Sequence, residues 1–297
     1  MLQKFGIYII LLLCINCYAQ QNRDMVSTTY LMSLSKKNFD YNRKRIKITP
    51  PPITTKKSLF INTIGMDIHE FTYNQELPFS EDLTSIYTIN HSFLFKHRIT
   101  PAWSFNVFSL TSLLSNKPIA HTIDNFLWNG GLFVERSFSK NTLKISAGVG
   151  YFTMIGESRI TPLLMIEKKI GRMFLVQIGM PKTQIQYQPH RNHLFSISGE
   201  LNDFMTTLST PVSLHSVSST QATKAIFTSV SAGIGYAFWA SRFTRLSIKG
   251  MYSVYENYEL IDDDNKTLYD FDSQNSYYLT VGFHIDITRG KRSSSIK

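Results

Sequence analysis

The stretch Leu143-Lys144-Ile145-Ser146-Ala147-Gly148-Val149-Gly150-Tyr151-Phe152-Thr153 decides the fold. Leu143, Ile145, Ala147, Val149 and Tyr151 are apolar or aromatic, and Lys144, Ser146, Gly148 and Gly150 fall between them. Successive side chains of an extended strand point to opposite faces, so this spacing gives one apolar face and one small or polar face. No helical period fits it. Residues 226–239 repeat the pattern, with Ile226, Val230, Ala232, Ile234, Tyr236 and Phe238 expected outward against Ser229, Ser231, Gly233, Gly235 and Ala237. A strand with lipid on one side and a barrel interior on the other requires this alternation over about ten residues.

The same period runs, less cleanly, through 60–71, 86–95, 103–113, 126–136, 174–179, 193–201 and 246–254. Tight polar turns near 98–101, 139–141, 170–172, 190–192 and 240–242 alternate with longer polar loops at 74–81, 115–124, 155–158, 209–223 and 259–276. Alternating short and long connections are the asymmetry of transmembrane barrels, short on the periplasmic side and long outside. The expected fold is therefore all-β: a single transmembrane antiparallel β-barrel of about twelve strands over 57–288, with a turn at 180–183 and both ends periplasmic. Pro162, which has no N–H for a ladder, is expected at a bulge. Trp103, Trp128, Trp239, Tyr73, Tyr87, Tyr252, Tyr255, Tyr258, Tyr277 and Tyr278 lie toward strand ends, where an interfacial girdle would place them. A soluble periplasmic β-sandwich is the rival fold.

The first residues read as an export signal over 1–19: Lys4 is the positive start, 5–14 the apolar segment, and Ala19 the small residue before cleavage. A lipid-modified Cys14 or Cys17 is the competing reading. The chain has two cysteines, both in this leader, so the remainder offers no disulfide, thiolate metal site or cysteine nucleophile. After it, no stretch approaches the roughly 18 consecutive apolar residues of a spanning helix. Residues 20–56 hold a basic run and Pro50-Pro51-Pro52, and are expected to be an N-terminal periplasmic or plug segment, part of 26–48 packing inside or beneath the barrel; an extra strand pair is the other reading. A basic tail occupies 289–297. The formal net charge of +10 suits outer-membrane lipid, lipopolysaccharide or cell wall as partners, since an exported chain does not routinely meet nucleic acid.

Thr280-Val281-Gly282-Phe283-His284-Ile285-Asp286-Ile287 resembles the terminal strand read by the barrel-assembly machinery, with Thr280, Gly282, Ile285 and Ile287 as the signal positions. Residues 162–171, followed by Gly179-Met180-Pro181 and Gln184-Ile185-Gln186-Tyr187, are similar to a family of outer-membrane barrels of Gram-negative bacteria known only as a domain of unknown function. That resemblance implies a fold and a location, and no activity.

Candidate chemistry is sparse. His91 and Ser92 are adjacent on a strand and point to opposite faces, so they do not form the proton-sharing pair of an acyl hydrolase. Glu259, Asp262, Asp263, Asp264, Asp270 and Asp272 lack the glycine turn and terminal glutamate of a calcium loop and read as a solvated acidic loop. His69, His121, His193, His215 and His284 form no close ligand pair for zinc. Alternation instead turns Asp67, His69, Lys96, Glu135, Lys144, Glu167, Glu200, Lys249, His284 and Asp286 into the lumen. Both signs are present, which fits a paired network better than a strongly ion-selective pore. Small inward residues such as Ser146, Gly148, Gly150, Ser229 and Ser231 leave room for water and solute, or for an N-terminal plug. The expected role is a passive channel or small-solute barrel without covalent chemistry, cofactor or metal. The alternative is a structural or surface-interaction barrel with a closed lumen, and an outer-membrane lipid hydrolase comes third.

Overall fold

The computed structural model describes residues 24–34, 38–74, 83–117, 126–138, 142–154, 157–179, 183–213 and 221–286. The expected export signal, Met180 and Pro181 of the expected turn, Ile287 and the basic tail lie outside these residues. The elements are β1 (Val26–Ser33), β2 (Phe39–Ile48), β3 (Ile53–Thr54), β4 (Ser58–Tyr73), β5 (Ser85–Arg98), β6 (Trp103–Ser115), β7 (Phe126–Phe138) and β8 (Leu143–Met154). They continue as β9 (Glu157–Ile170), β10 (Phe174–Gly179), β11 (Thr183–His190), β12 (His193–Ser213), β13 (Gln221–Trp239), β14 (Thr244–Ile261), β15 (Thr267–Asp270) and β16 (Tyr277–Ile285).

Every ladder is antiparallel, and the sheet closes through β1, β2, β4 to β14 and β16 back to β1. The wall is a single closed barrel of fourteen strands, with β3 and β15 outside it. One closed sheet leaves no second sheet for a sandwich. The count of about twelve is corrected by β1 and β2, which are wall strands. β2 pairs with β4 from Phe39↔Tyr73 to Ile48↔Ile64, and β1 bridges β2 and β16, pairing Val26↔Ile285 through Ser33↔Tyr278. The expected periplasmic or plug segment is thereby corrected: residues 26–33 and 39–48 form a strand pair of the wall and are not a plug. The alternation in β2 is concealed because its inner face is basic: Arg43, Arg45 and Lys47 turn inward while Ile46 and Ile48 are exposed outside.

The outer surface carries a belt of exposed aliphatic side chains, among them Ile64, Met66, Leu132, Val134, Leu164, Ile166, Ile197 and Ile248. A patch of that extent is foreign to a soluble monomer's surface. Trp103, Trp128, Tyr252 and Tyr277 also lie on the outer surface, and Trp128 stacks on Tyr151. Trp239, Tyr258 and Tyr278 do not belong to a girdle; all three are buried within the barrel. Pro162 pairs with Val149 in an unbroken β8–β9 register, so the expected bulge is not there. The β9–β10 ladder ends at Met165↔Gly179, which leaves Pro162 at an edge where no N–H is called for.

The main departure from the sequence reading is in β12 and β13. The β11 ladder on β12 stops at Thr183↔Gly199, while β12 and β13 continue together to Ser213↔Gln221. Over 225–231 every β13 residue is buried, on both faces. Phe227 faces β2 and β4, with its ring 4.5 Å from that of Tyr41 and 5.7 Å from that of Phe71. Leu201 and Val230, ladder partners on the opposite face, cluster with Phe108, Phe133, Phe152 and Leu163 of β6 to β9. The backbones of β6 and β12, far apart along the sheet, come within 8 Å between Cα atoms. The far half of this hairpin therefore runs through the barrel as a partition. Ile226 and Val230, expected outward, are 2% exposed, whereas Ile234 on the same parity nearer the terminal rim is 69% exposed.

The small inward residues serve this packing. A Cβ on Gly150 would stand 2.3 Å from the Phe152 ring, and one on Gly148 would stand 2.1 Å from the Leu132 carbonyl. Among the described residues, the room they leave is filled by large rings of neighbouring strands and by the hairpin. Because β1 is the closing strand, deleting residues 24–34 while keeping residues 1–23 is expected to abolish heat-modifiable mobility in detergent gels. A barrel closed without β1 would keep that mobility.

Candidate functional site in the barrel interior

The inner face of β2 grades from aromatic to basic: Phe39, Tyr41, Arg43, Arg45, Lys47. Period-two geometry aligns all five toward the interior. At the end away from the termini, the lumen is packed by rings. Phe39 lies edge-on to Tyr258 at 5.3 Å, Phe71 stacks on Tyr258 at 4.6 Å, and Tyr258 stacks on Phe271 at 4.2 Å. Burial of each such side chain contributes about 1.5–3 kcal/mol, and each ring pair adds about 0.5–1.5 kcal/mol.

Nearer the terminal rim the interior is polar and its charges are matched. Lys96 Nζ is 2.7 Å from Glu135, Lys144 Nζ is 2.8 Å from Glu167, and Lys249 Nζ is 2.5 Å from Glu200. Glu167 also accepts from Gln177, which in turn accepts from Gln184. Asp67 is held in a fork by Arg45 Nε at 2.5 Å and Nη2 at 2.8 Å, and accepts a third bond from Asn90. His69 is buried and shares a 2.8 Å hydrogen bond between its Nδ1 and the Tyr41 hydroxyl. Asp286 is partly buried beyond the end of β16. The structure therefore brings nine of the ten expected interior residues into contact with a named polar partner, counting His284 below, and pairs six of them with one another. Arg45, the partner of Asp67, was not foreseen, because it lies in a segment read as lying outside the wall.

A cavity of about 180 Å³ lies between the β2–β7 wall and β12. Its polar lining includes Arg43, Arg45, Asp67, Asn90, Ser112 and Asn202. Arg43 comes from β2 and reaches across to β12, donating from Nη1 to the Asn202 side-chain oxygen at 2.7 Å.

Among hydrolase-like groupings, His91 is exposed outside and Ser92 lines the cavity, as expected for adjacent strand positions. A different trio forms at the terminal rim. Ser247 Oγ is 2.9 Å from His284 Nε2, and His284 Nδ1 is 3.0 Å from Asp24 Oδ2. The Nδ1 contact lies off the direction of a hydrogen bond, and Asp24 Oδ2 is 2.5 Å from Arg245 Nη2. The Asp24 carboxylate is thus engaged by a guanidinium, so the trio reads as a clamp between the first described residues, β14 and β16. Thr280, Gly282 and Ile285 lie in β16, whose two neighbours are β14 and β1. A Cβ on Gly282 would meet Ser247 Oγ at 2.5 Å, so this glycine keeps β14 and β16 close. Among the described residues no group of three or more His, Cys, Asp or Glu side chains converges as for a metal. The acidic residues after β14 are bound locally: Asp262 accepts from the Lys266 amide and Asp263 from the Thr223 hydroxyl.

Residues 54–286 match the family described as Domain of unknown function (DUF6268). The chain belongs to this family. The match spans β4 to β16 and begins after the two closing strands. No curated protein matches the sequence. Among solved structures, the chain is similar to the NanC porin, at 6% identity and a TM-score of 0.42, over 88% of this chain and 100% of that one. It is similar to LpxR from Salmonella typhimurium, at 6% identity and a TM-score of 0.38, over 88% and 100%. It is also similar to outer membrane phospholipase A from Escherichia coli, at 10% identity and a TM-score of 0.37, over 89% and 93%.

The interior pairs of this family member join strands at fixed register, Lys144↔Glu167 being direct ladder partners. Glu167 is 1% exposed and its lysine is largely shielded. Removing one partner strands a buried charge, so Glu167→Ala is expected to destabilise the barrel by about 3–5 kcal/mol, whereas the double change to Lys144→Met and Glu167→Met recovers most of the loss. The midpoint of urea unfolding in detergent checks both.

Proposed function

We propose that the chain is an outer-membrane barrel whose lumen is closed by its own residues, and that it acts as a structural or surface-interaction barrel. The observation that carries this reading is the β12–β13 hairpin, buried on both faces between opposite sectors of the wall. An open channel, the first expectation from the sequence, needs a continuous aqueous path. Here the hairpin and the ring cluster around Tyr258 and Phe227 occupy that path at the end away from the termini. The apolar outer belt and the joining of the first strand to the last support residence in lipid, where a free edge on either would be costly.

Planar-bilayer recordings test the reading. The intact chain is expected to give no sustained single-channel conductance, and a variant in which an Asn-Gly turn replaces residues 203–228 is expected to conduct steadily. Steady, porin-like conductance of the intact chain would sink the closed-lumen reading. Phe227→Ala tests the same plug more mildly, removing a fully buried ring at a cost of about 3–5 kcal/mol and producing brief openings.

A further inference from the structure

Arg43 is 8% exposed, yet among the described residues no carboxylate pairs with it. Its Nη1 reaches the neutral Asn202 side chain, and its Nε is buried without a hydrogen-bond partner. The nearby acid on β4, Asp67, is already held in a fork by Arg45. Across the cavity Asp203 accepts from the Thr228 hydroxyl. A guanidinium taken from water without a counter-charge is costly, and a buried cation normally meets an acid or a bound anion. A second orphan lies in the same wall: Thr88 lines the cavity with Arg43, and its Oγ1 is buried without a partner.

The surroundings describe a ligand. Asn129 and Asn202 line the cavity with amide N–H groups, their oxygens being taken by the Thr153 amide and by Arg43; Asn90 and Ser112 beside them are bonded to each other, and a guanidinium suits a planar carboxylate or a phosphate. A cavity of about 180 Å³ limits the occupant to a small solute. The approach is also marked. Along the inner face of β2, buried Arg43 is followed toward the terminal rim by partly exposed Arg45 and Lys47, a basic path that raises the local concentration of anions.

We infer that Arg43 anchors an internal binding site for a small hydroxylated oxyanion, a sugar acid or sugar phosphate, entered from the rim that carries the chain termini. The site goes beyond the closed-lumen reading and is tested separately: conductance reports on the hairpin, and equilibrium binding reports on Arg43.

The test uses the full chain in detergent micelles and isothermal titration with glucuronate, glucose 6-phosphate and uncharged glucose. Saturable binding of either anion, absent for glucose, is expected in the parent chain and in Lys44→Gln, whose side chain lies exposed beside Glu70. Arg43→Gln is expected to weaken that binding at least tenfold while retaining heat-modifiable mobility. If Arg43→Gln does not fold, Arg43→Lys keeps the charge, loses the fork and is expected to bind several-fold more weakly. No saturable binding of either anion, equal binding of glucose, or unchanged affinity in the foldable Arg43 variant would overturn the site.

Discussion

The ladder between Val26–Ser33 and Tyr277–Ile285 is the constraint on which the rest of the structure depends. A sheet in lipid has no water to satisfy a free edge, so each unpaired amide or carbonyl there costs several kcal/mol. Joining the first and last strands removes both edges at once and fixes the number of strands in the wall. It also places the two described ends on one rim, where Asp24, Arg245 and His284 tie them together.

Fourteen strands enclose more space than short side chains can fill, and barrel diameter grows with strand number. The chain fills that space in two ways. Toward the terminal rim, long charged side chains meet across the ladders, as in Lys96–Glu135, Lys144–Glu167 and Lys249–Glu200. Away from it, aromatic rings and the β12–β13 hairpin form a dry core resembling that of a soluble protein. The cavity at Arg43 lies where the two regimes meet, with aromatic Tyr41 on one side and basic Arg45 and Lys47 on the other.

Alternation in 143–153 and 246–254 made these wall strands legible, because one face lies on the apolar outer surface and the other on a mixed interior. It failed where that premise failed. In β2 the inner face is basic and the residues read as a charged segment, so neither the closing strands nor Arg45 as the partner of Asp67 was foreseen. In 225–231 both faces are covered, and a buried outward residue such as Val230 looks the same in sequence as a lipid-facing one such as Ile234. Trp239 and Tyr258 were misplaced for the same reason, since an aromatic near a strand end suits an interfacial girdle and an interior core equally well.

By itself the sequence determined that the chain forms antiparallel strands with one apolar face and where most of them begin and end, because these follow from a period of two along a single strand. Only the tertiary structure decided which strands close the wall, which opposite charges meet, that a hairpin rather than an N-terminal plug crosses the lumen, and that Arg43 is left without an acid. Those outcomes depend on contacts between segments far apart in the chain, and no local period encodes which segments those are.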